Sequence, residues 1–563
     1  MMEYEKQYAE AIVPHIQHVL KMEDVQALIE HPKRDGQGDL AFPCFVLARH
    51  FRTSPQEIAG WLADSIHSPL FEKVVADGPY VNGFLDKAAV SGQLLQHIQQ
   101  ERKGYGTQTW GLGKTITLDF SSPNIAKPFS MGHLRSTVIG NAMANIVEKC
   151  GYTPVKINHV GDWGTQFGKL MVAYTRWGSE EQVQRDTIKE LLDLYVLFHE
   201  KAEAEPHLKE EARQWFRKLE QGDEEASRLW RWFRYESLQE FSKIYDLLGI
   251  AFDTYQGEAF YNDHMEGVAQ LIQEKGLLET SEGAEVVDLS DHQLPPCLIR
   301  KSDGATLYAT RDLAAAIYRH QQYEFDQSYY IVGDEQRLHF QQLFLVLEKM
   351  GYDWAKGMVH IPFGFILQNG KKMSTRKGKV ILLEEVIQEA IDLAQRSIED
   401  KNPELGQKEE TARKVGVGAI IFHDLKHERQ NNIEFQLEDM LRFEGTTGPY
   451  VQYTHARACS ILRKAGYHPS SVEQGLTDAP SWNVIKTLAA FPAVIERSYH
   501  QSEPSVIAKY LIHLSQSFNK YYSQVRIRTK DEELPARLAL VHAVAIVLQE
   551  GLRILGVQAP EEM

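Results

Sequence analysis

Two short stretches combine residue types that suit chemistry on a phosphate-bearing ligand. The first, SSPNIAKPFSMGH, contains two prolines, a lysine, several hydroxyl groups and a histidine. Pro123 and Pro128 disfavour regular helix through most of it, so a loop is predicted. Gly132 leaves room beside the backbone just before His133, where a helix is expected to begin. Because helix N-termini attract phosphate and Lys127 adds a cation, a nucleoside triphosphate fits this loop.

The second stretch, QNGKKMSTRKGKV, is a basic loop with glycines at Gly370 and Gly378. Its five cations are Lys371, Lys372, Arg376, Lys377 and Lys379. A glycine-flanked basic lid can close over pyrophosphate and neutralise charge at a phosphoryl centre. Taken alone, the first stretch equally fits a capped helix with a structural histidine, and the second fits exposed surface. Together they predict a triphosphate site.

The elements around these stretches predict an α/β fold. TITLDF is predicted to be a strand, the residues from His133 to Cys150 a helix, and PVKINHV a second strand. After a charged helical stretch the alternation resumes with strand ATLYAT, helix RDLAAAIYRHQQY, strand SYYIVG, helix LHFQQLFLVLEKMG and strand VHIPFGFIL. This order favours a doubly wound, parallel, Rossmann-like sheet. Its ligand crevice would lie at the carboxyl ends of the strands, where the first loop begins.

Three domains are predicted along the 563 residues. Residues 1–110 form a mixed α/β domain that ends at a cluster of glycines. Residues 111–410 form the parallel α/β domain, with a helical insertion at about 180–290. Helical periodicity dominates residues 411–563, where strand signals vanish, so an α-helical bundle is expected there.

Charge and composition limit the classes of protein to which this sequence can belong. The net charge of −16 argues against a protein that coats itself in nucleic acid. Residues 411–563 nevertheless carry 17 Lys/Arg against 16 Asp/Glu, so this end of the chain can bind a polyanion. Such charged residues are also common on an ordinary solvated surface. The N-terminus lacks the apolar core of a secretion signal, and the charge-free run Leu538–Leu548 is shorter than the ~20 residues of a membrane span. A cytoplasmic protein is expected, and the four scattered cysteines predict no metal site.

The two stretches resemble the signatures of a known class of enzyme. PNIAKPFSMGH resembles the H-I-G-H signature, and KMST the K-M-S-K signature, of class I aminoacyl-tRNA synthetases. More narrowly, DFSSPNIAKPF, GHLRSTVIGNAMANI, NHVGDWGTQFGKL, LYATRD, MSTRKG and FEGTTGPYVQYTHAR resemble the arginyl-tRNA synthetases. The resemblance extends from GDLAFPCFVLAR near the N-terminus to LRILGVQAPEEM at the C-terminus.

This resemblance implies a two-step reaction. ATP, as its Mg²⁺ complex, activates arginine to arginyl-adenylate with release of pyrophosphate, and arginine then passes to the 3′-terminal ribose of its tRNA. The family needs tRNA before it activates the amino acid, and it is monomeric. The first domain is implied to touch the tRNA elbow and the helical bundle to read the anticodon.

The resemblance also assigns candidate residues to each part of the site. The catalytic candidates are His133, Lys372, Lys127 and Lys377. The ATP-binding candidates are Ser130, Gly132, His133, Met373, Ser374 and Thr375. The arginine-binding candidates are Asp119, Ser122, Asn124, Tyr308, Asp312 and Gln336. The tRNA-binding candidates are Asn82, Phe84, Tyr521, Arg526 and Arg528.

Some of these candidates have simpler structural explanations. Asp312 also fits an acidic residue at a helix N-terminus, where Asp is common. Phe84 equally fits strand packing. Arg526 and Arg528 equally fit an exposed helix end that follows buried tyrosines.

The sequence departs from the two signatures at one position each. Ser130 replaces the first histidine of H-I-G-H, so a hydrogen bond remains possible there but an imidazolium does not. Thr375 replaces the last lysine of K-M-S-K. Its role must therefore pass to another cation, the candidates being Lys372, Arg376, Lys377 and Lys127.

Three other functions are weighed against this one. A nucleotidyltransferase of the same superfamily that works without tRNA is disfavoured by the long helical C-terminal region. A non-catalytic, synthetase-like tRNA-binding protein is disfavoured because both signature loops keep Gly132, His133 and Lys372. A nicotinamide dehydrogenase is disfavoured because no G-x-G-x-x-G follows the first strand.

Overall fold

The computed structural model describes residues 2–16, 19–32, 36–301, 308–373, 375–376, 379–472 and 475–563. The N-terminal part is an antiparallel sheet of order β1-β3-β2 with helices packed on it. Its elements are α1 (Met2–Ile12), α2 (Met22–Leu28), β1 (Leu40–Pro43), α3 (Phe45–Phe51), α4 (Pro55–Ser65), β2 (Phe71–Asp77), β3 (Tyr80–Leu85) and α5 (Lys87–Glu101).

The central part begins with a β-loop-α-β unit and continues into an insertion. The unit consists of β4 (Thr115–Asp119), α6 (Met131–Lys149), β5 (Thr153–Ile157) and α7 (Thr165–Trp177). The insertion consists of α8 (Glu180–Arg185), α9 (Thr187–Ala204), α10 (His207–Glu220), α11 (Glu224–Leu248), α12 (Asn262–Glu274), β6 (Leu278–Ser281), β7 (Ala284–Val287) and β8 (Cys297–Arg300).

The alternation then resumes and passes into the basic loop. These elements are α13 (Tyr308–Tyr323), β9 (Gln327–Tyr330), α14 (Arg337–Lys349), β10 (Met358–His360), β11 (Ile366–Gln368), β12 (Lys371–Lys372), β13 (Thr375–Arg376), β14 (Lys379–Val380) and α15 (Leu383–Lys401). The helical C-terminal part consists of α16 (Lys408–Leu425), β15 (Ile433–Glu434), α17 (Leu437–Met440), α18 (Gly448–Ala465), α19 (Ala479–Ala489), α20 (Phe491–Gln501), α21 (Ser505–Gln524) and α22 (Leu534–Ile554).

The central sheet is parallel and has the strand order β10-β9-β4-β5. β4 lies in the middle, and Asp119 at its end is paired with Ile157 on one side and Tyr330 on the other. Because the chain leaves β4 for β5 and later returns to the opposite side at β9, the topology switches at the carboxyl end of β4. The predicted doubly wound sheet is confirmed, and its crevice opens beside Asp119.

Helix α6 packs closely on β4. A side chain at Gly140 would clash with the ring of Phe120, so only glycine allows this approach. α6 is almost wholly buried, and it carries His133 in its first turn. The sheet and this helix together therefore hold the first loop between two rigid elements.

Several sequence-based expectations about elements are wrong. Tyr308–Thr310, expected to end the strand ATLYAT, form the first turn of α13, and residues 305–307 of that stretch lie outside the described residues. VHIPFGFIL is divided between β10 and β11, with Pro362 and Gly364 between them. The insertion ends in an antiparallel sheet of order β6-β7-β8, and the short strand β15 follows residue 411.

Helix α22 is long and apolar enough to cross a membrane by length and composition alone. Most of it is buried between other helices of the C-terminal part, where it contacts α18 and α21. Its charged residues Arg537 and Glu550 are buried in ion pairs. α22 is therefore the core helix of the bundle.

Candidate active site

The first loop has a strained backbone that its surroundings hold in place. Ser121, Ser122 and Ala126 adopt positive φ angles of 72°, 48° and 58°, which are unfavourable for residues other than glycine. The backbone N–H of Ser122 donates to Asn158 Oδ1 at 3.2 Å, and that of Ala126 donates to Ser237 Oγ at 3.1 Å. Such strain persists only where neighbouring groups fix the chain, and it is typical of binding sites.

Helix α6 begins two residues earlier than expected, so His133 is the third residue of the helix. Ser130 is the N-cap, and its backbone N–H donates to His133 Nδ1 at 3.1 Å. A nitrogen that accepts a hydrogen bond carries no hydrogen, so the neutral ring has its hydrogen on Nε2. Burial, together with the charge of Lys127, lowers the pKa of His133. The structure therefore holds a neutral imidazole with a donor Nε2–H at the start of α6.

Gly132 leaves space that the protein itself does not use. A Cβ built there would meet only Ser130 Oγ, at 3.5 Å, and the φ angle of Gly132 is not positive. Neither packing nor backbone conformation therefore demands glycine at this position. The open space suits close approach of a ligand to the helix N-terminus.

The chain that follows the basic loop runs directly beside the start of α6. The backbone N–H of Met131 donates to Ile381 O at 3.3 Å, and that of Leu383 donates to Phe129 O at 3.0 Å. These bonds bring the two signature loops to one end of the sheet. Sequence spacing could not predict this contact, because about 250 residues separate its partners.

The basic loop holds its candidate residues in different environments. Lys372 is exposed, and its ammonium lies 4.1 Å from the ring centroid of Phe365, a cation–π contact. The side chain of Met373 is buried, while its backbone N–H donates to Ile366 O. Thr375 pairs with Val380 through the backbone. Ser374 and Lys377 lie outside the described residues.

Lys127, Asn124 and Gln336 are exposed at the same end of the sheet. Lys127 belongs to the first loop, and Gln336 immediately precedes α14. Asn124 forms an isolated bridge with Gly161, which holds the loop after β4 against the loop after β5. All three side chains are free to meet a ligand in the crevice.

Asp119 at the end of β4 is already engaged by the protein. Its Oδ2 lies 2.8 Å from Arg319 Nη1, and its Oδ1 accepts from Ser122 Oγ at 3.1 Å. Arg319 is fully buried between the rings of Tyr261 and Tyr330, with centroid distances of 6.0 and 5.8 Å. The sequence prediction of an arginine pocket included Asp119 and Ser122 but missed Arg319.

Tyr308 and Asp312 lie one turn apart on α13, so their side chains share one face of that helix. Tyr308 is exposed, whereas the Asp312 side chain is about one-third exposed. The alternative interpretation of Asp312 as an acidic residue at the start of a helix is wrong, because α13 begins at Tyr308 and Asp312 lies in its second turn. Asp312 Oδ2 lies 2.6 Å from His339 Nε2.

Four carboxylates lie near one another around Asp312, and three of them face an arginine of the protein. Asp119 pairs with Arg319 at 2.8 Å, Asp162 with Arg234 at 2.7 Å, and Glu258 lies 3.9 Å from Arg311. Burial raises the pKa of Glu258 to about 7, against the opposing charge of Arg311. Among the ion pairs of the described residues, Asp312 is matched instead with histidines. It is the carboxylate best able to accept a guanidinium from outside.

The tRNA-binding candidates differ in exposure. Asn82 is buried on β3, whereas Phe84 is partly exposed with the ammonium of Lys73 4.4 Å from its ring centroid. Tyr521 is buried in the bundle, so it cannot offer a stacking face, whereas the next residue, Tyr522, is 45% exposed. Sequence reasoning considered both tyrosines and selected Tyr521, whose burial contradicts a stacking role, because the sequence did not show which of the two faces out of α21.

Arg526 and Arg528 are exposed and line a cavity of about 910 Å³ beside Tyr522. Arg457 lies at the same cavity, with its guanidinium 4.8 Å from the ring of Tyr453 and 5.1 Å from that of Tyr522. The cavity thus combines cations with exposed aromatic faces, which suits nucleic acid.

The parallel sheet, the strained first loop and the basic loop beside it define a class I aminoacyl-tRNA synthetase. The family model described as "tRNA synthetases class I (R), catalytic domain" matches residues 93–437. The model "DALR anticodon binding domain" matches residues 451–563, and "Arginyl tRNA synthetase N terminal domain" matches residues 6–85.

Full-length relatives narrow the class to one family. The chain is 58% identical to arginine–tRNA ligase 2 of Bacillus anthracis and 59% identical to the arginine–tRNA ligase of Exiguobacterium sibiricum, over all of each chain. The solved arginyl-tRNA synthetase of Thermus thermophilus is 25% identical, with a TM-score of 0.79 over 99% of this chain and all of that one. The chain belongs to the arginyl-tRNA synthetases. The sequence-based prediction of an arginine–tRNA ligase is confirmed.

The arginyl-tRNA synthetase of Plasmodium falciparum shares the fold. It is 24% identical, with a TM-score of 0.81 over all of this chain and 99% of that one. Class I synthetases use ATP as a substrate, so the predicted nucleotide is confirmed with the family. The helical C-terminal part corresponds to an anticodon-binding domain, which makes tRNA the polyanionic partner.

Proposed function

We propose that the substrate guanidinium binds Asp312, with Tyr308 beside it and Asn124 and Gln336 at the rim of the pocket. A carboxylate takes a planar guanidinium through two parallel N–H bonds, whereas a lysine ammonium offers only a point charge. The observation that carries this assignment is the pairing of the neighbouring carboxylates with the protein's own arginines. Asp119 and Ser122 then shape the floor of the pocket through Arg319.

The triphosphate of ATP is assigned to the start of α6 and the basic loop. His133 donates from Nε2, Gly132 leaves room at the helix N-terminus, and Ser130 lies beside them. Lys127, Lys372 and Lys377 supply the cations that meet charge developing on the phosphates. Met373 acts through its backbone position, because its side chain is buried. Ser374 and Thr375 complete the loop in the proposal.

Mg²⁺ is assigned to the ATP complex. Within the part of the chain that the structure describes, no group of three or more His, Cys, Asp or Glu residues could hold a metal ion. Mg²⁺ usually keeps several waters and binds through substrate phosphates. The ion would therefore bind the triphosphate, where it would neutralise charge.

The domain division that fits these roles is 1–110, 111–410 and 411–563. The first domain is proposed to touch tRNA through Phe84 and Lys73, since Asn82 is buried. The bundle is proposed to bind the anticodon at the cavity of Tyr522, Arg526 and Arg528. We further expect a monomer in the cytoplasm.

The test of the arginine site compares two carboxylate variants in ATP–pyrophosphate exchange, with and without tRNA for arginine. Asp312→Asn keeps the shape and removes the charge, so arginine recognition should weaken by roughly 2–5 kcal/mol, the penalty for losing a charged partner. The matched control is Asp353→Asn, a carboxylate exposed on the surface. ATP affinity should hardly change in either variant.

Normal arginine use by Asp312→Asn would contradict the assignment. Loss of ATP and arginine binding together with unfolding would make Asp312 a structural residue.

A further inference from the structure

The Asp312 carboxylate is flanked by two imidazoles. His339, in the first turn of α14, places Nε2 2.6 Å from Asp312 Oδ2. His159, after β5, places Nε2 4.0 Å from Oδ1 of the same carboxylate. Any cation that binds Asp312 from the crevice must therefore share it with at least one histidine.

The hydrogen bonds separate the roles of these two histidines. His159 Nδ1 lies 3.2 Å from Arg319 Nη2, and an arginine can only donate, so Nδ1 must be an acceptor. Burial also lowers the pKa of His159, so the ring is neutral and carries its hydrogen on Nε2. For His339, burial lowers the pKa, but the hydrogen bond and the charge of Asp312 outweigh it, so the pKa is raised. Burial raises the pKa of Asp312, but the bond to His339 and the charges of His339, His159 and Arg319 together outweigh it, so this pKa lies below its usual value.

We propose that His339 is a positioning residue that holds Asp312 while the pocket is empty and gives up a proton when the substrate guanidinium binds. This inference rests on the proposed binding of that guanidinium by Asp312. Two cations on one carboxylate repel each other, so guanidinium binding favours the neutral imidazole. The proton leaves His339 Nε2 for solvent, which the partly exposed side chain can reach, and guanidinium N–H groups take its place on the carboxylate.

The other charged groups near His339 have their own partners. At the start of α14, Arg337 pairs with Asp334, which precedes the helix. On α13, Arg319 pairs with Asp119, and on β10 burial lowers the pKa of His360. Within the described residues, Asp312 is the charged group that shifts the pKa of His339.

Because arginine binding is linked to proton release from His339, the direction in which arginine affinity changes with pH can be predicted. Below its pKa in the empty pocket, His339 is protonated and opposes arginine binding, so arginine affinity should rise with pH and level off above that pKa. The largest slope for one proton is about tenfold in affinity per pH unit. Asp312 stays ionised throughout this range, because its pKa is lowered.

The experiment is isothermal titration of arginine into the whole protein between pH 6 and pH 8, with and without tRNA. Two buffers of different ionisation enthalpy give the number of protons released. Wild type should release a fraction of a proton up to one, and its affinity should rise several-fold across this range. His339→Gln keeps a donor near the position of Nε2 but cannot titrate, so it should bind arginine with a flat pH profile.

Two variants of other histidines test whether His339 is the residue that releases the proton. His159→Gln should keep the pH dependence, because His159 is already neutral. His500→Gln changes an exposed histidine on α20 and should behave as wild type. Asp312→Asn should lose both affinity and proton release.

Arginine binding by wild type without proton release, or an unchanged pH profile in His339→Gln, would overturn the proposal while leaving Asp312 as the arginine site. Undiminished arginine affinity in Asp312→Asn would overturn the site assignment instead. Circular dichroism and ATP binding report whether each variant folds. If His339→Gln does not fold, the two-buffer titrations of wild type and Asp312→Asn still decide the question.

Discussion

The sharpest test of the nucleotide site is a substitution that removes one donor of His133 and leaves its structural bond in place. His133 performs two separable tasks in the structure. Nδ1 accepts the backbone N–H of Ser130 and caps α6, while Nε2–H is free to donate to a ligand. His133→Asn keeps an acceptor near the position of Nδ1 and removes the donor. His133→Ala removes both.

The two variants should therefore differ in stability more than in rate. Loss of a positioned donor to developing charge costs about 10²–10³-fold in rate, or roughly 3–4 kcal/mol of transition-state stabilisation. Both variants should lose this much in adenylate formation. Loss of the cap costs a further ~1 kcal/mol of folding stability, and only His133→Ala should show it.

The assays are ATP–pyrophosphate exchange with tRNA and arginine present, and thermal unfolding of the same preparations. Because burial lowers the pKa of His133, we expect the neutral ring to be the active form. The contribution of His133 to the rate of ATP–pyrophosphate exchange should be constant from neutral pH upward. It should fall only below the ordinary histidine pKa of about 6.5. His292→Asn, an exposed histidine of the insertion, is the matched control. Exchange within a few-fold of wild type in His133→Asn, or activity that rises as pH falls, would refute the reasoning.

Two further predictions concern the basic loop and the bundle. Lys372→Ala should slow exchange with little change in arginine KM, because the cation acts on charge seen mainly in the transition state; the exposed Lys356→Ala is its control. If Lys372→Ala and the double variant Lys372→Ala/Lys377→Ala both keep full activity, Lys127 becomes the candidate for the cation that acts on the phosphate charge. Tyr522→Ala should weaken tRNA binding by roughly 1–3 kcal/mol with normal thermal stability, whereas Tyr521→Ala should lower stability. Equal behaviour of the two tyrosine variants in tRNA titrations and melts would contradict the assigned orientation of α21.

Local sequence signals were sufficient for the strands that build the crevice. β4, β5 and β9 are short β-branched or aromatic runs bounded by turn residues, and α6 and α14 have clear helical periodicity. The first turn of α13 was missed, since tertiary contacts override propensity there. Thr310 has a β-branched side chain that favours a strand, yet it is buried in α13 with its Oγ1 donating to Ile299 O.

Residues that act through distant partners could not be found from the sequence in the same way. Arg319 and His339 meet Asp119 and Asp312 only after the chain has folded. A weak signal existed for Arg319. It lies seven residues after Asp312 and shortly after the apolar run Leu313–Ile317, so the two side chains share a face of the helix, and a buried arginine requires a carboxylate partner. No comparable pattern pointed to His339, because the adjacent Phe340 and Phe344 made this stretch of α14 a core helix.

The placement of His133 depends on contacts of α6 with the C-terminal helices. Near its start, Arg135 donates to Asp424 at 3.1 Å and to Asn431 O at 2.8 Å. At its end, Lys149 pairs with Glu550 of α22 at 2.9 Å. Both ion pairs are almost completely buried, so breaking either would leave an uncompensated charge at a cost of about 3–5 kcal/mol.

These two pairs make α6 and the adjoining helices of the bundle one packed unit. Each pair fixes a different end of α6. A bundle helix that moved along α6 would therefore separate a pair and leave a buried charge without its partner. Asn145, between them, donates to Ile554 O at 3.1 Å, which adds a third fixed point on α6 and a second contact with α22. The helix that carries His133 is therefore anchored on the C-terminal part, which corresponds to the anticodon-binding domain. A displacement of α22 must either carry α6 with it or break these bonds.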